Sequence, residues 1–246
     1  MSPKDDIYSN GGADRWRTIY EREHDYAREV EAIIGCLDSD LLKSGILEIG
    51  CGPGNLAAEF ASRGVLVTAT DRSPSMLEIA SAVASERCVH VDLRLAENLA
   101  GIDGRYGLII SQRMAPGIAD LHTIIQESFV KLIPGGCALL SYWDPDSLPD
   151  WVEPLARAAS IDIGVRNRRS VCRISDWQAS EQAHLWRFLD ISSDEDGNVK
   201  ALCQETHILP KVRYEEVERI AEEWGFVEAS KLPPETASTI LLKKGV

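Results

Sequence analysis

The stretch Ile46-Leu-Glu-Ile-Gly-Cys-Gly-Pro-Gly-Asn55 joins a short apolar run to a glycine-rich turn and then to a helix-forming segment. An apolar run of this length, bounded by glycines, predicts a buried strand of a parallel sheet. Gly50, Gly52 and Gly54 let the backbone adopt positive φ and approach a ligand closely. The helix that follows offers free N–H groups at its start. We therefore predict a ligand-binding turn at the carboxyl end of a central strand.

Asp71 supports a nucleoside site beside the glycine loop. It directly follows the next β-branched run, residues 65–70. An acid at the tip of a neighbouring parallel strand can accept hydrogen bonds from both ribose hydroxyls of a nucleoside. A tight turn beside a solvated aspartate is the simpler alternative. The combination of strand, glycine loop, helix and acid favours a nucleoside site, since a lone Gly-x-Gly is weak evidence.

Asn55 and Glu48 indicate which class of nucleoside the loop can bind. A dinucleotide loop needs a third glycine at the position of Asn55, and the carboxylate of Glu48 would repel a pyrophosphate. Glu48 could instead accept hydrogen bonds from the ammonium group of an amino-acid tail. The loop thus favours a nucleoside that carries an amino acid, and an NAD-dependent oxidoreductase is the less favoured alternative.

Strands and helices alternate along the first 145 residues, which predicts an α/β fold. A helical segment covers 13–37. With a closing strand pair at 226–231 and 239–243, we expect a doubly wound, mostly parallel, seven-stranded Rossmann-like sheet. The five preceding strands are predicted at 45–50, 65–70, 89–96, 106–111 and 137–143.

The pattern changes after residue 144. We predict a helix over 152–163, then a hairpin of residues 182–191 and 199–209 around the turn Asp196-Gly197-Asn198. Residues 145–210 are therefore interpreted as an insertion, with a helix and an antiparallel hairpin, that caps the substrate side of a single domain, 1–246. Residues 1–37 are expected to lie over the cofactor site.

Composition restricts the partners. The net charge is −13, which argues against a nucleic-acid substrate. No signal peptide and no membrane span are recognised, so a cytoplasmic protein is expected. The six cysteines form no C-x-x-C pair, so we predict no metal site and no disulfide framework.

The pattern Glu48-x-Gly50-x-Gly52-x-Gly54 resembles motif I of the class I S-adenosylmethionine (SAM)-dependent methyltransferases. Residues 106–111 resemble the fourth-strand motif of that family, and Leu132-Ile-Pro-Gly-Gly136 resembles the turn before its fifth strand. The resemblance implies SAM as the cofactor and S-adenosylhomocysteine as the product. It covers residues 40–145 and says little about the substrate.

The resemblance also implies roles for single residues. Leu95 departs from the family pattern, since relatives carry an acid there for the adenine amino group. The N-terminal helix, with Trp16, Tyr20 and Tyr26, resembles that of glycine and sugar N-methyltransferases. The implied cofactor residues are Arg22, Glu48, Gly50, Gly52, Asp71, Arg72, Met76, Ala96, Glu97 and Gln112. Arg22 would pair with the cofactor carboxylate. Tyr20 would line the active site, unless it only forms the apolar face of a helix.

Candidates for the acceptor side lie at strand ends and on the hairpin. Glu205 and His207 are two residues apart and so share a strand face, and His207 is a candidate base. Arg169 belongs to a basic cluster that could hold an anionic substrate or pair with surface acids. The candidate catalytic residues are Tyr20, Tyr142 and His207. The candidate substrate residues are Arg113, Trp143, Arg169 and Glu205.

We therefore predict methyl transfer from SAM to a nitrogen or oxygen of a small metabolite, such as a natural-product intermediate. The alternative is a SAM-binding protein of this fold that does not methylate. The sequence leaves the acceptor open, and the long hairpin could pair between subunits of a homo-oligomer.

Overall fold

The computed structural model of the chain describes residues 8–9, 11–114, 116–144, 160–166, 168–232 and 238–246. Eleven strands are present in this part of the chain. They are β1 (Ile46–Ile49), β2 (Val67–Asp71), β3 (Asp92–Leu95), β4 (Tyr106–Ser111), β5 (Leu132–Tyr142), β6 (Ser160–Arg166), β7 (Arg169–Ala179), β8 (Ala183–Ser193), β9 (Val199–Pro210), β10 (Phe226–Leu232) and β11 (Ser238–Lys244).

Seven of these strands form one sheet in the order β10-β11-β5-β4-β1-β2-β3. Strand β11 runs in the opposite direction to the other six. Helices cover both faces of the sheet. They are α1 (Gly12–Glu23), α2 (Tyr26–Gly35), α3 (Asn55–Ser62), α4 (Pro74–Glu86), α5 (Ile118–Lys131) and α6 (Tyr214–Trp224), with a short 3₁₀ turn at Leu41–Ser44. The predicted doubly wound fold is confirmed.

Alternating residues of the central strands supply two cores. Leu47 and Ile109 face the core beneath α5 and α6, whereas Ile46 and Leu108 face the core beneath α2 and α3. All four side chains are fully buried. Because strands β1 and β4 are covered on both sides, they read as continuous apolar runs, which is the pattern that marked them in the sequence.

The single helix predicted over 13–37 is wrong, because the segment forms two helices. The break lies at His24, whose backbone is extended, and Asp25 begins α2 as its N-cap. The Asp25 carboxylate accepts a hydrogen bond from the Arg28 backbone N–H at 3.1 Å. Aspartate is a preferred N-cap residue, so the cap stabilises a new helix start inside an otherwise periodic stretch.

Strands β6, β7, β8 and β9 form a second, antiparallel sheet, here called the cap sheet. The predicted hairpin is its β8–β9 pair. The helix predicted over 152–163 is wrong for residues 160–163, which belong to β6, and residues 152–159 lie outside the described residues. Pairing with β7, which the sequence pattern did not reveal, makes residues 160–163 a strand.

Helix α1 lies between the cap sheet and α4. Trp16 of α1 contacts Phe188 of β8 with ring centroids 5.4 Å apart. On the outer side, Arg17 of α1 and Arg166 of β6 both bond to Glu86 of α4, at 2.5 and 2.8 Å. The hydrogen bond from Arg17 lowers the pKa of Glu86 to about 2, so this carboxylate stays charged. The cap sheet is thereby held to the main sheet through α1.

Candidate active site

A cavity of about 560 Å³ lies where the glycine loop of the main sheet faces α1 and the cap sheet. The carboxyl ends of β1, β2 and β4 form one side of it, here called the loop wall. Nine of the ten predicted cofactor residues line this side: Glu48, Gly50, Gly52, Asp71, Arg72, Met76, Ala96, Glu97 and Gln112. The tenth, Arg22, lies in α1, but its side chain is outside the described residues.

The glycine loop needs its glycines for two different reasons. Gly54 has φ +76°, and a Cβ there would come within 2.7 Å of the Ala80 Cβ, so this glycine permits close packing of α3 on α4. Gly52 has φ +52° with open space where its Cβ would stand. A left-handed backbone beside open space leaves the Gly52 backbone free to approach a ligand.

Asp71 closes the loop from the tip of β2. Its Oδ2 accepts from the Gly52 N–H and its Oδ1 accepts from the Ser73 N–H, both at 2.8 Å. Burial raises the pKa of Asp71, while the bonds from Ser73 and Gly52 act in the opposite direction. Each carboxylate oxygen can accept a further hydrogen bond. The carboxylate is thus held in one orientation and keeps acceptor capacity towards the cavity.

Glu48, beside the glycine loop, is a buried acid with an oxygen that lacks a hydrogen-bond partner among the described residues. The residue is 5% exposed, and this oxygen is Oε2. Burial raises the pKa of Glu48 to about 8, although the nearby Arg113 guanidinium opposes that shift. A buried carboxylate without a partner is costly, and a cationic ligand group would compensate it. The buried Gln112 Nε2 also lacks a partner within the described chain.

Arg113, predicted to bind substrate, lines the cavity beside Glu48. Its guanidinium bonds to both carboxylate oxygens of Glu29, at 2.8 and 2.7 Å, and lies 5.1 Å from the Tyr26 ring centre. The residue has a left-handed backbone, with φ +58°. Because Glu29 already neutralises this charge, Arg113 joins α2 to the end of β4 instead of presenting a free cation to a substrate.

The opposite side of the cavity, here called the aromatic wall, consists of Trp16, Tyr20, Trp186 and His207. Trp16 stacks on Tyr20 at 5.1 Å and meets the His207 ring edge-on at 5.4 Å. Burial raises the pKa of Tyr20 well above its ordinary value, so its phenol stays protonated and can only donate or accept a hydrogen bond at neutral pH.

His207 and Glu205 form a pair on β9, as their spacing predicted. His207 Nε2 lies 3.1 Å from Glu205 Oε2, and Phe188 stacks on the imidazole at 5.3 Å. Burial alone would raise the pKa of Glu205, but the hydrogen bonds from His207 and Cys203 bring it below its ordinary value. An ionised Glu205 keeps the proton on Nε2 and leaves Nδ1 as the basic nitrogen of the imidazole. Glu205 itself does not line the cavity.

Trp186 is the wall residue that the sequence interpretation missed. In the β8–β9 register it stands directly opposite His207, and Phe188 stands opposite Glu205. The alternation of Trp186, Phe188 and Asp190 on one strand face was the available signal. Recognising it required knowing which face of the hairpin turns inward.

Besides Glu205, three predicted residues do not line the cavity: Tyr142, Trp143 and Arg169. Tyr142 is buried in the core beneath α5 and α6, and Trp143 is also buried. The Trp143 indole donates to His184 Nδ1 at 2.7 Å. Arg169 is exposed on the cap sheet and lies 3.6 Å from Glu195, so it does not contact a substrate site.

Arg173, from the same basic cluster, lies behind the aromatic wall. Its guanidinium donates to both oxygens of Asp190, at 2.8 and 2.9 Å, and both side chains are almost completely buried. The guanidinium carbon lies 4.2 Å from the Trp16 ring centre and 4.0 Å from that of Phe188. This geometry supports the wall through a buried ion pair and cation–π contacts.

No helix among the described residues is long and apolar enough to cross a membrane. Nor do they contain a group of three or more His, Cys, Asp or Glu side chains placed to hold a metal ion.

Comparison with known proteins agrees with this geometry. Residues 46–136, which carry the glycine loop, Asp71 and strand β4, match the family model described as a methyltransferase domain. This match covers the segment that carries the glycine loop and leaves the cap sheet outside it. The family resemblance seen in the sequence is thereby confirmed.

Curated relatives match only part of the chain. A ubiquinone biosynthesis O-methyltransferase from Methylobacterium sp. (strain 4-46) is 30% identical over 93 residues, which is 37% of each chain. A protein of the same name from Xanthomonas oryzae pv. oryzae is 33% identical over 105 residues, 42% of this chain and 44% of the relative. The chain therefore matches less than half the length of these relatives.

Solved structures match the whole chain. DesVI from Streptomyces venezuelae has a TM-score of 0.78 at 19% identity and covers 95% of this chain and 98% of its own. An amino pentose methyltransferase from Micromonospora echinaspora has a TM-score of 0.72 at 18% identity and covers 98% and 99%. At these identities the likeness shows that the methyltransferase domain and the cap sheet belong to a known fold.

Proposed function

We propose that this chain transfers a methyl group from SAM to a nitrogen or oxygen of a small molecule. The observation that carries the proposal is one cavity with two different walls. The loop wall offers acceptors for a nucleoside with a cationic tail, and the aromatic wall holds a histidine oriented by a carboxylate.

The loop wall fits SAM on the chemistry of its residues. The unpartnered Oε2 of Glu48 suits the ammonium of the methionine tail, and the remaining acceptor capacity of Asp71 suits the ribose hydroxyls. Open space at Gly52 leaves room for the ligand. Arg72, Met76, Ala96 and Glu97 line the part of the cavity proposed for the adenine. Leu95 stands where relatives of the family carry an acid. Its side chain is apolar and 62% exposed, and it offers the adenine no hydrogen-bond acceptor.

When bound, SAM supplies a methyl group on a positively charged sulfur. The aromatic wall would hold the acceptor and exclude water, and positioning of this kind provides much of the acceleration in group transfer. His207 would accept a proton at Nδ1, because Glu205 occupies Nε2. This proton would come from a hydroxyl as it attacks, or from an ammonium group before its nitrogen can attack as the free amine. The protonated Tyr20 would orient the acceptor by a hydrogen bond.

The substrate class follows from the size and lining of the site. A 560 Å³ cavity that also holds the cofactor leaves room for a small acceptor only. We propose a natural-product intermediate with an amino or hydroxyl group. Its support comes from full-length structural neighbours, which include a sugar N-methyltransferase from Streptoalloteichus sp. and a methyltransferase involved in calicheamicin biosynthesis.

The test is a turnover screen with a panel of amino and hydroxyl sugars and aromatic alcohols. We expect release of S-adenosylhomocysteine together with a product that is one methyl group heavier. A chain that binds SAM but releases no S-adenosylhomocysteine with any acceptor would favour a non-methylating protein of this fold. A chain that binds neither SAM nor its product would overturn the cofactor assignment as well.

A further inference from the structure

The face of the cap sheet that points away from α1 carries a row of apolar side chains that crosses all four strands. Successive residues of a strand alternate between faces, and the inward set, with Arg173, Phe188 and Asp190, is buried. The outward set contains a row of four residues that stand side by side across all four strands: Ile163, Cys172, Ile191 and Leu202. The pair Ile174 and Leu189 adjoins this row. The pair Leu185 and Ile208 lies beyond Asp176 and Arg187, and Ile208 also borders the cavity. We call these rows the outer cap face.

Several of these side chains are strongly exposed. Leu202 is 68% exposed, Ile208 64% and Ile163 49%. An antiparallel sheet with one covered face normally carries polar residues on the other. A contiguous apolar patch on a solvated surface marks a site of interaction, because exposing it to water is unfavourable.

The charge on the outer cap face indicates what kind of partner can bind there. The charged side chains described in the middle of this face are Asp176 and Arg187, which pair with each other at 2.5 Å. The face is therefore neutral within a chain of net charge −13. A second copy can approach here without charge repulsion, whereas a strongly charged partner would find no opposite charge to pair with.

The dimensions of the outer cap face suit a stable dimer. Strand β8 has 11 residues. At about 3.4 Å per residue and about 4.8 Å between strands, the four strands cover roughly 700 Å² per copy, or about 1,400 Å² for two. Stable protein interfaces bury about 1,200–2,000 Å² in total.

We propose that the outer cap face binds a second copy of this chain in a two-fold symmetric dimer. Such an interface uses the same patch on both subunits, so an apolar and neutral patch complements itself. This inference is independent of methyl transfer, and it gives the cap sheet a second role beside closing the cavity.

The test compares two charge substitutions by sedimentation velocity over about 1–100 μM full-length chain, a range that detects micromolar dimers. We expect the unmodified chain to sediment as a dimer of two 27.1 kDa subunits. Leu202→Glu would place a charge in the interface and weaken the dimer at least about 100-fold. Val227→Glu is the matched control, because Val227 is 69% exposed on β10, outside the cap sheet. Both variants should keep the circular dichroism spectrum of the parent.

Thiol labelling provides a second readout that does not depend on a variant. Cys172 lies in the four-residue row of the outer cap face, while Cys36 and Cys88 are exposed elsewhere. We expect maleimide to label Cys172 slowly at high concentration and faster on dilution or in Leu202→Glu, with Cys36 and Cys88 unchanged. A monomer at 100 μM, a dimer equally sensitive to Val227→Glu, or Cys172 protection that survives dilution to monomer would each overturn the proposal.

Discussion

The loop wall and the aromatic wall face each other across one cavity, but different interactions give them their shape. The loop wall depends on local backbone conformation, with Gly52 and Gly54 in the left-handed region and Asp71 bonded to nearby N–H groups. The aromatic wall depends on contacts between α1, β8 and β9 around the Arg173–Asp190 pair. The first wall is therefore encoded in one short stretch, and the second in residues far apart in the chain.

The largest effect should come from breaking the support of the aromatic wall. Arg173→Met would leave the fully buried Asp190 carboxylate without its bidentate partner. We expect the free energy of unfolding, measured by urea denaturation, to fall by about 3–5 kcal/mol. The double variant Arg173→Met with Asp190→Asn should recover part of this loss, since the uncompensated carboxylate is removed. Recovery should be incomplete, because Arg15 Nε, 3.8 Å from Asp190 Oδ2, also loses that charged partner. Equal stability of the single variant and the parent would show that the wall does not depend on this pair.

The next prediction distinguishes turnover at the aromatic wall from ligand binding at the loop wall. His207→Asn should lower kcat by about 100-fold, or about 2.7 kcal/mol, with an acceptor found in the screen, because a general base contributes at least this much. The affinity for S-adenosylhomocysteine, measured by calorimetry, should stay within about twofold.

The matched control for His207 is Glu205→Gln. It keeps the shape of the pair but removes the charge that holds the proton on Nε2. We expect an intermediate kcat, since the imidazole loses the ionised neighbour that holds it in one orientation. Parental kcat in His207→Asn would remove this residue from the chemistry and leave it as part of the wall.

A smaller effect is expected in the loop wall, where Glu48 should make the free energy of unfolding depend on pH. The pKa of Glu48 is raised to about 8 from an ordinary value of 4.5, so the folded chain without ligand retains a proton that the unfolded chain releases. Stability should therefore fall as pH rises from 4.5 to 8. Glu48→Gln should flatten this dependence between pH 5 and pH 8.5 in unfolding titrations.

Ligand affinity should show the opposite trend to stability. Ionised Glu48 pairs with the ammonium of S-adenosylhomocysteine, so binding should tighten as pH approaches 8 in the parent and change less in Glu48→Gln. A parental affinity that is independent of pH over this range would contradict the role given to Glu48.

The difference between the walls also explains what could be predicted from the sequence. Glycine spacing and the acid at residue 71 are local signals, and they located the loop wall. The Glu205–His207 pair was also predictable, because a period of two places both side chains on one strand face. At the end of β5, by contrast, the sequence could not reveal that Tyr142 packs into the core with Val217 and Ile220, since that contact joins distant segments.

The same physical reason accounts for the errors in the cap. Residues 160–163 form a strand because β7 pairs with them, and this long-range pairing overrides the helical spacing of the preceding apolar residues. Arg169 and Arg173 are close in sequence, yet one is solvent-exposed and the other is buried against Trp16. Charge clusters in a sequence do not indicate which side chains turn inward.

The most direct test of the account is calorimetric titration of S-adenosylhomocysteine into the parent, Asp71→Ala and Asp92→Asn. Asp92 is the matched control, because it lies on the neighbouring strand β3 and pairs with exposed Arg94 away from the cavity. We predict one ligand per chain, a loss of at least about 30-fold in affinity, or about 2 kcal/mol, in Asp71→Ala, and parental affinity in Asp92→Asn. Absence of binding to the parent, or equal affinity of the parent and Asp71→Ala, would contradict the claim that the loop wall holds the cofactor.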